Sequence, residues 1–198
     1  MSDPQIQPNQ IQRLLDKQEI AEQLYRYCRA IDRSDKELLL SVFHEDSQHN
    51  HKPFVGPSAV FCDAVIDFLS MLEMCTHNVC NILYEFEDDN TAMVEATWLA
   101  VERVGVGVER TGSSFEDHDK TRREDLMVGG RYIDRFEKRE GVWKIAQRTG
   151  VHDWHQWREV DDRRIEKFVN TSIGARKPDD KSYALVNRPE HIAFDIEK

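Results

Sequence analysis

His77 lies in the run Met74 to Phe86, whose apolar and β-branched residues predict a strand. Strand alternation puts Cys75, His77, Val79, Asn81 and Leu83 on one face, and Asn78, Cys80, Ile82, Tyr84 and Phe86 on the other. Both faces are largely apolar, so the expectation is a strand covered on both sides. An imidazole in such a place needs a hydrogen-bond partner. The commonest outcome is a satisfied core residue; a catalytic one requires a second polar group out of place. Asp32 is that group. It follows Cys28 by four residues and so continues the apolar stripe Ile11, Leu14, Leu15, Ile20, Leu24, Cys28 and Ile31. Asp32 could simply end this helix. However, Asp35 (or Ser34) suffices as N-cap for the next one, which frees Asp32 for other work.

The elements that must position the two residues follow in order. Residues 1–9 read as a loose arm and Gln10 to Ile31 as a long amphipathic helix, uninterrupted by Pro or Gly. A short helix spans Lys36 to Phe43. Ser47 to His51 alternates like a strand, with His49 and His51 on one face, and Pro53, Gly56 and Pro57 break the chain. A second long helix covers 58–73 on the stripe Phe61, Ala64, Val65, Phe68, Leu69 and Leu72. The strand at 74–86 is followed by the turn Glu87 to Asn90, then by strands at Thr91 to Val104, Leu126 to Lys138 and Val142 to Trp154. Residues 105–125 are polar and Gly-rich, a solvated loop or a lid over a pocket. The segment 159–198 is a charged extension with scattered apolar residues, a drape over a neighbouring surface or a disordered end. Helices first and hairpin-linked strands after make an α+β fold: a curved antiparallel sheet over two long helices and a short one, leaving a cone-shaped cavity.

Composition narrows the partners. The 198 residues carry a net charge of −10, which argues against nucleic acid or an anionic membrane as the main partner. No apolar run approaches the roughly 18 residues that span a bilayer. The N-terminus has no signal-peptide core. Cys28, Cys62, Cys75 and Cys80 lack a CxxC spacing and read as buried free thiols, with the cytoplasm as the expected compartment.

Five motifs then carry a resemblance: Tyr25 to Asp35 (YRYCRAIDRSD), Val42 to Asp46 (VFHED), Thr76 to Asn81 (THNVCN), Gly129 to Glu137 (GGRYIDRFE) and Gly141 to Arg148 (GVWKIAQR). In this order they resemble the SnoaL-like branch of the nuclear transport factor 2-like superfamily, over residues 10–158. The resemblance implies a cone-shaped α+β barrel. Scytalone dehydratase, bile-acid 7α-dehydratase and hexachlorocyclohexane dehydrochlorinase belong to this group. In them an Asp ending the first helix pairs with a His on a central strand, positions matched here by Asp32 and His77. Tyr27 matches a tyrosine of the bile-acid enzyme, and Arg148 an arginine on the last strand of it and of the dehydrochlorinase. By helix geometry alone, Tyr27 and Asp32 are about 140° apart, so only a bend would aim both into one cavity.

What this implies is an enzyme, a cofactor-independent lyase that eliminates water or a similar group from a hydroxylated cyclic or aromatic small molecule. Release of a small carbonyl by retro-aldol cleavage is a close variant. His77 would be general base, Asp32 its orienting carboxylate, Tyr27 a proton donor or carbonyl polariser, and Arg148 a stabiliser of negative charge. His51, Phe54, Cys75 and Trp98 are the expected substrate contacts. No cofactor and no metal are required, and the histidines of His49-x-His51 and His152-Asp153-x-His155 read as surface or structural residues, His51 excepted as a substrate contact. The Gly129–Gly130 pair would permit close sheet packing, with Arg131, Asp134 and Arg135 pairing across strands or subunits. A homotrimer packed through the sheet is expected, with Trp98 and Tyr132 as exposed anchors. The alternatives are a ketone isomerase or cyclase, or a non-catalytic assembly module such as a ring-hydroxylating dioxygenase small subunit.

Overall fold

The computed structural model describes residues 8–108, 118–160 and 174–186. Helix α1 (Pro8–Asp32) is followed by α2 (Lys36–Ser41), β1 (Phe43–His51), β2 (Phe54–Pro57) and α3 (Ser58–Ser70). Then come β3 (Met74–Phe86), β4 (Thr91–Val104), β5 (Glu124–Arg139), β6 (Val142–Glu159) and a terminal helix α4 (Lys181–Val186). The six strands form one sheet in the order β2-β1-β6-β5-β4-β3. All neighbours are antiparallel except β1 and β6. This is the expected α+β architecture, a curved sheet with the helices packed on it.

Sequence chemistry fixes the joints. The Asp35 carboxylate accepts the Leu38 N–H at 3.2 Å and caps α2. Glu140 and Gly141, at φ 53° and 82°, turn β5 into β6 in a tight hairpin. Gly130 is obligatory: a Cβ would come within 1.9 Å of the Val151 carbonyl oxygen and 2.9 Å of the Trp98 ring. The register of β5 against β6 shifts between Gly129 and Gly130, where the chains approach most closely.

The core lies between α1, α3 and the concave face of the sheet. Ile20, Leu24, Cys28 and Ile31 of α1 are buried, as are Ala92, Val94, Ala96, Trp98 and Ala100 of β4 and Leu126, Tyr132 and Phe136 of β5. The stripe of α1 is buried only from Asp16 onwards; Ile11, Leu14 and Leu15 are half or more exposed because they lie out of phase with Ile20, Leu24 and Ile31, and Arg13, over the Phe86 ring, holds the sheet-facing position of that turn. Asp16 fastens the helix to the β5–β6 hairpin, accepting from Trp143 Nε1 and Lys138 Nζ, both at 2.9 Å.

Several expectations change. β3 is an edge strand, not a central one, and it is covered on one face only. A bulge at Asn81 (φ 49°) shifts the register between Cys80 and Ile82, so the inward set runs Cys75, His77, Val79 and then Ile82, Tyr84, Phe86. Strict alternation misplaces every residue after it: Leu83 is 66% exposed. Cys80 is exposed for the same one-sided reason, whereas Cys28, Cys62 and Cys75 are buried free thiols. Trp98 and Tyr132 point into the core and stack on each other, so they cannot anchor an outer interface. Pro8 and Asn9, expected in the arm, are helical, and β6 runs on to Glu159. Of the expected loop, Glu124 and Asp125 already belong to β5, and 109–117 lie outside the described residues. Residues 161–173 and 187–198 of the extension lie outside them too. No helix among the described residues is long and apolar enough to cross a membrane.

Candidate functional site

The C-terminal end of α1 meets the free edge of β3, and there Asp32 and His77 come together. His77 Nδ1 is 2.8 Å from Asp32 Oδ1, and the His77 backbone N–H donates to Oδ2 at 2.9 Å. The Cys75 thiol donates to Oδ1 at 3.2 Å. One carboxylate thus collects an imidazole, a thiol and an edge-strand N–H. Asp32 and His77 are nine-tenths buried. With Nδ1–H assigned to Asp32 by the hydrogen bond, Nε2 carries the lone pair, and no protein partner occupies it among the described residues. In its neutral form such an imidazole, backed by a carboxylate, can act as a base.

Beside it is a crevice of about 440 Å³ between α1, β3 and residues 174–186. Asp32 and His77 line it together with Arg29 and Arg33 of α1 and Asp180 and Ser182 of the C-terminal segment. That segment is tied down at the end of α1: the Lys177 N–H donates to the Arg33 carbonyl at 2.9 Å and Arg176 Nη1 to Ser34 Oγ at 2.8 Å. Arg33 pairs with Asp180 at 3.4 Å. Sequence reasoning missed this wall. Its one local signal was Asp180 before Lys181 and Ser182, a helix-start pattern; the Asp180 carboxylate accepts from Ser182 N and Oγ.

Tyr27 and Arg148 do not line the crevice. α1 is helical through Asp32 without the required bend, so the 140° separation stands: Asp32 faces β3 while Tyr27 faces the core. Arg148 is fully buried and held by Asp134 through two bonds, Nε–Oδ1 at 2.7 Å and Nη2–Oδ2 at 2.6 Å. Its guanidinium lies between the Tyr27 and Tyr132 rings, 4.1 Å from each centroid. Asp134 therefore already matches the charge expected to stabilise a leaving group, and only Nη1 remains without a partner. This cross-strand pair is the structural role anticipated for Asp134. Burial pushes the Tyr27 hydroxyl up to about 12, the Arg148 charge pulling against it, and keeps it protonated.

The expected substrate contacts divide. Cys75 touches both members of the Asp32–His77 pair, its Sγ lying 3.4 Å from His77 Nδ1. Trp98 is the interior neighbour of His77, ring centroids 6.4 Å apart, with an unpartnered buried Nε1. His51 and Phe54 belong to a separate aromatic group at β1, β2 and α3. There His49 stacks on Phe61 at 3.5 Å, Phe54 packs on Phe61 at 5.6 Å, and His51 Nε2 meets His152 Nε2 at 3.2 Å. His152 in turn packs edge-on against Trp98, 5.3 Å away. Asp32, Cys75 and His77 are also a set of ligand-type atoms within 4.8 Å of one another.

Comparison with known proteins agrees with this architecture. A candidate scytalone dehydratase from Novosphingobium aromaticivorans DSM 12444 superposes with a TM-score of 0.61 at 20% identity, covering 76% of this chain and 92% of its own. A type 2 hexachlorocyclohexane dehydrochlorinase gives 0.61 at 15% identity, covering 76% and 94%. A protein of unknown function from Mycobacterium tuberculosis gives 0.58 at 20% identity, covering 74% and 76%. At these identities the likeness establishes the fold alone. No protein of curated function matches. Residues 12–149, well over half of the chain, match the SnoaL-like domain, and the chain belongs to that family.

Proposed function

We propose that the protein is a cofactor-independent lyase in which His77 is the general base and Asp32 its partner. The observation that carries this reading is the 2.8 Å Nδ1–Oδ1 bond at a crevice, with Nε2 left as the proton acceptor. A structural histidine would not need a carboxylate that also holds its backbone N–H and the neighbouring thiol. In the reaction, Nε2 takes a proton from carbon next to an activating carbonyl, the electron pair forms the new double bond, and hydroxide or a similar group departs from the adjacent carbon. Asp32 fixes the tautomer and stabilises the imidazolium. In the retro-aldol variant the same nitrogen takes a hydroxyl proton and a small carbonyl leaves. The substrate class is a hydroxylated cyclic or aromatic small molecule, since the names of two structural neighbours denote eliminations. Tyr27 and Arg148 take part where the substrate reaches past His77 into the interior, toward the Tyr27 hydroxyl and Arg148 Nη1. Trp98 is the proposed contact next to His77, and the aromatic group of His51 and Phe54, joined to Trp98 through His152, is the proposed far wall for such a substrate.

The test is turnover of a panel of hydroxylated cyclic and aromatic compounds by wild type and by folded His77→Ala and Asp32→Asn. Each variant should lose on the order of 10²-fold or more in kcat, with the double variant little worse than His77→Ala, because the two side chains act as one unit. Near-wild-type turnover by folded His77→Ala would overturn the reading and favour a binding or assembly module. Buried free thiols support a reducing compartment, the cytoplasm. A homotrimer packed through the sheet is a proposal of the same standing, and light scattering at micromolar concentration checks it.

A further inference from the structure

We propose that Asp32, Cys75 and His77 also bind a thiophilic divalent cation such as Zn²⁺, and that its binding switches His77 off as a base. The site rests on the same three side chains as the lyase reading but not on that activity. Its ligands would be a thiolate, an imidazole and a carboxylate, all types that zinc takes.

The geometry fits. Cys75 Sγ lies 3.2 Å from Asp32 Oδ1 and 3.4 Å from His77 Nδ1, and those two atoms are 2.8 Å apart. With Zn–S near 2.3 Å and Zn–N and Zn–O near 2.0–2.2 Å, an ion about 1 Å off the plane of this triangle reaches all three atoms. Ideal tetrahedral edges for such bonds are roughly 3.4 Å, so the Asp32–His77 edge of 2.8 Å must widen by about 0.6 Å and the two edges to Cys75 by less. The carboxylate is already oriented: the His77 N–H holds Oδ2 at 2.9 Å and leaves Oδ1 for the ion. The crevice lined by Asp32 and His77 has room for water as the fourth ligand.

Charge and protons balance. The ion takes the place of the Cys75 S–H proton, which is released to solvent, while the His77 proton moves from Nδ1 to Nε2, so one proton leaves per ion bound. One thiolate and one carboxylate then neutralise the two positive charges. With Nδ1 on the cation, the neutral ring carries its proton on Nε2. The lone pair that would accept a substrate proton is gone.

The test uses the full chain carrying Cys80→Ser, which removes the exposed thiol. Cd²⁺ is titrated while the ultraviolet thiolate-to-cadmium charge-transfer band is followed, and Zn²⁺ affinity is measured by calorimetry. The expected result is a band that saturates at one Cd²⁺ per chain and reverses with EDTA. In Cys75→Ala the band should vanish and Zn²⁺ affinity should fall at least tenfold. Should that variant not fold, His77→Gln, with circular dichroism as the check, must show the same fall in Zn²⁺ affinity. No band in the Cys80→Ser protein, or an undiminished band in Cys75→Ala, overturns the proposal. The two readings fail separately: loss of turnover in His77→Ala without a cadmium band leaves the lyase standing and removes the cation site.

Discussion

His49 is a buried base with nothing to bind, and this makes stability depend on pH in a calculable way. The residue is 1% exposed, and neither ring nitrogen has a hydrogen-bond partner among the described residues. One face lies on Phe61, and the β1–β6 register puts His49 opposite Arg148. Burial, then the Arg148 charge, hold its protonated form down, to a pKa of about 2 against an ordinary 6.5. The unfolded chain therefore binds a proton below 6.5 that the folded chain refuses. Stability is intact above that value and falls as pH drops below it, by about 1.4 kcal/mol per unit. Between pH 7.5 and 4.5 the loss from this one group is about 2.7 kcal/mol. Its size does not depend on how far below 4.5 the folded value lies.

Against a typical total of roughly 5–15 kcal/mol this is readily measured. Urea unfolding followed by tryptophan fluorescence, at both pH values, is compared for wild type, His49→Phe and His49→Gln. The quantity read is the difference between the two pH values within each protein, so the cost of the substitution itself cancels. Both variants should lose about 2.7 kcal/mol less than wild type over this interval. If all three lose the same amount within about 0.5 kcal/mol, His49 is protonated or paired in the folded state and the reasoning fails.

Asp134→Ala should destabilise by roughly 3–5 kcal/mol, because it leaves the Arg148 guanidinium buried without its carboxylate; for a chain of this size, Tm should fall by roughly 6–20 °C. A drop below about 3 °C in thermal melts would mean that Arg148 finds another partner. Gly130→Ala should cost about 2 kcal/mol or more, since the obstruction is the Val151 backbone and not a side chain that can swing away; unchanged urea midpoints would contradict the close approach. Asp16→Asn should flatten the acid limb of the stability curve. Burial raises the Asp16 carboxyl, but bonds from Trp143 and Lys138 outweigh that and hold it below its ordinary value. The wild-type group stabilises above about 3.9, the unfolded value, and that contribution is lost as pH falls through the lower folded value. Acid unfolding curves for the two proteins check this.

The elements were legible because their punctuation is local. β3 and β4 were readable to the residue from the Glu87 to Asn90 turn and the apolar runs around it, and the Asp35 cap from one side chain. The errors are those that local pattern cannot catch. A period of two predicts faces only while the register holds, and one extra residue at Asn81 reverses it. Nor does a strand's sequence say whether it lies at an edge, so the apolar residues of β3 suggested a second cover that none of the described residues provides. The stripe of α1 changes phase between Leu15 and Ile20, so Ile11, Leu14 and Leu15 fall on the face away from the sheet although each is apolar. Trp98 and Tyr132 on long strands were equally compatible with either face until the neighbouring strands fixed the curvature.

The candidate site separates by how far apart in sequence its parts are explained. Asp32 was conspicuous as a carboxylate continuing an apolar stripe, and His77 as an imidazole in an apolar strand; each anomaly explains the other once they are 2.8 Å apart. Arg148 was conspicuous too, but its explanation is Asp134, fourteen residues away across a hairpin. A buried arginine matched by its own carboxylate is sufficient reason for both residues, whatever chemistry takes place nearby. Among the described residues no arginine or lysine pairs with Asp32. What it accepts from is an imidazole, a thiol and a main-chain N–H, so the carboxylate is available to an imidazolium forming beside it. That difference, a compensated charge at Arg148 and an uncompensated one at Asp32, is why His77 and not Arg148 is the residue on which the proposed chemistry turns.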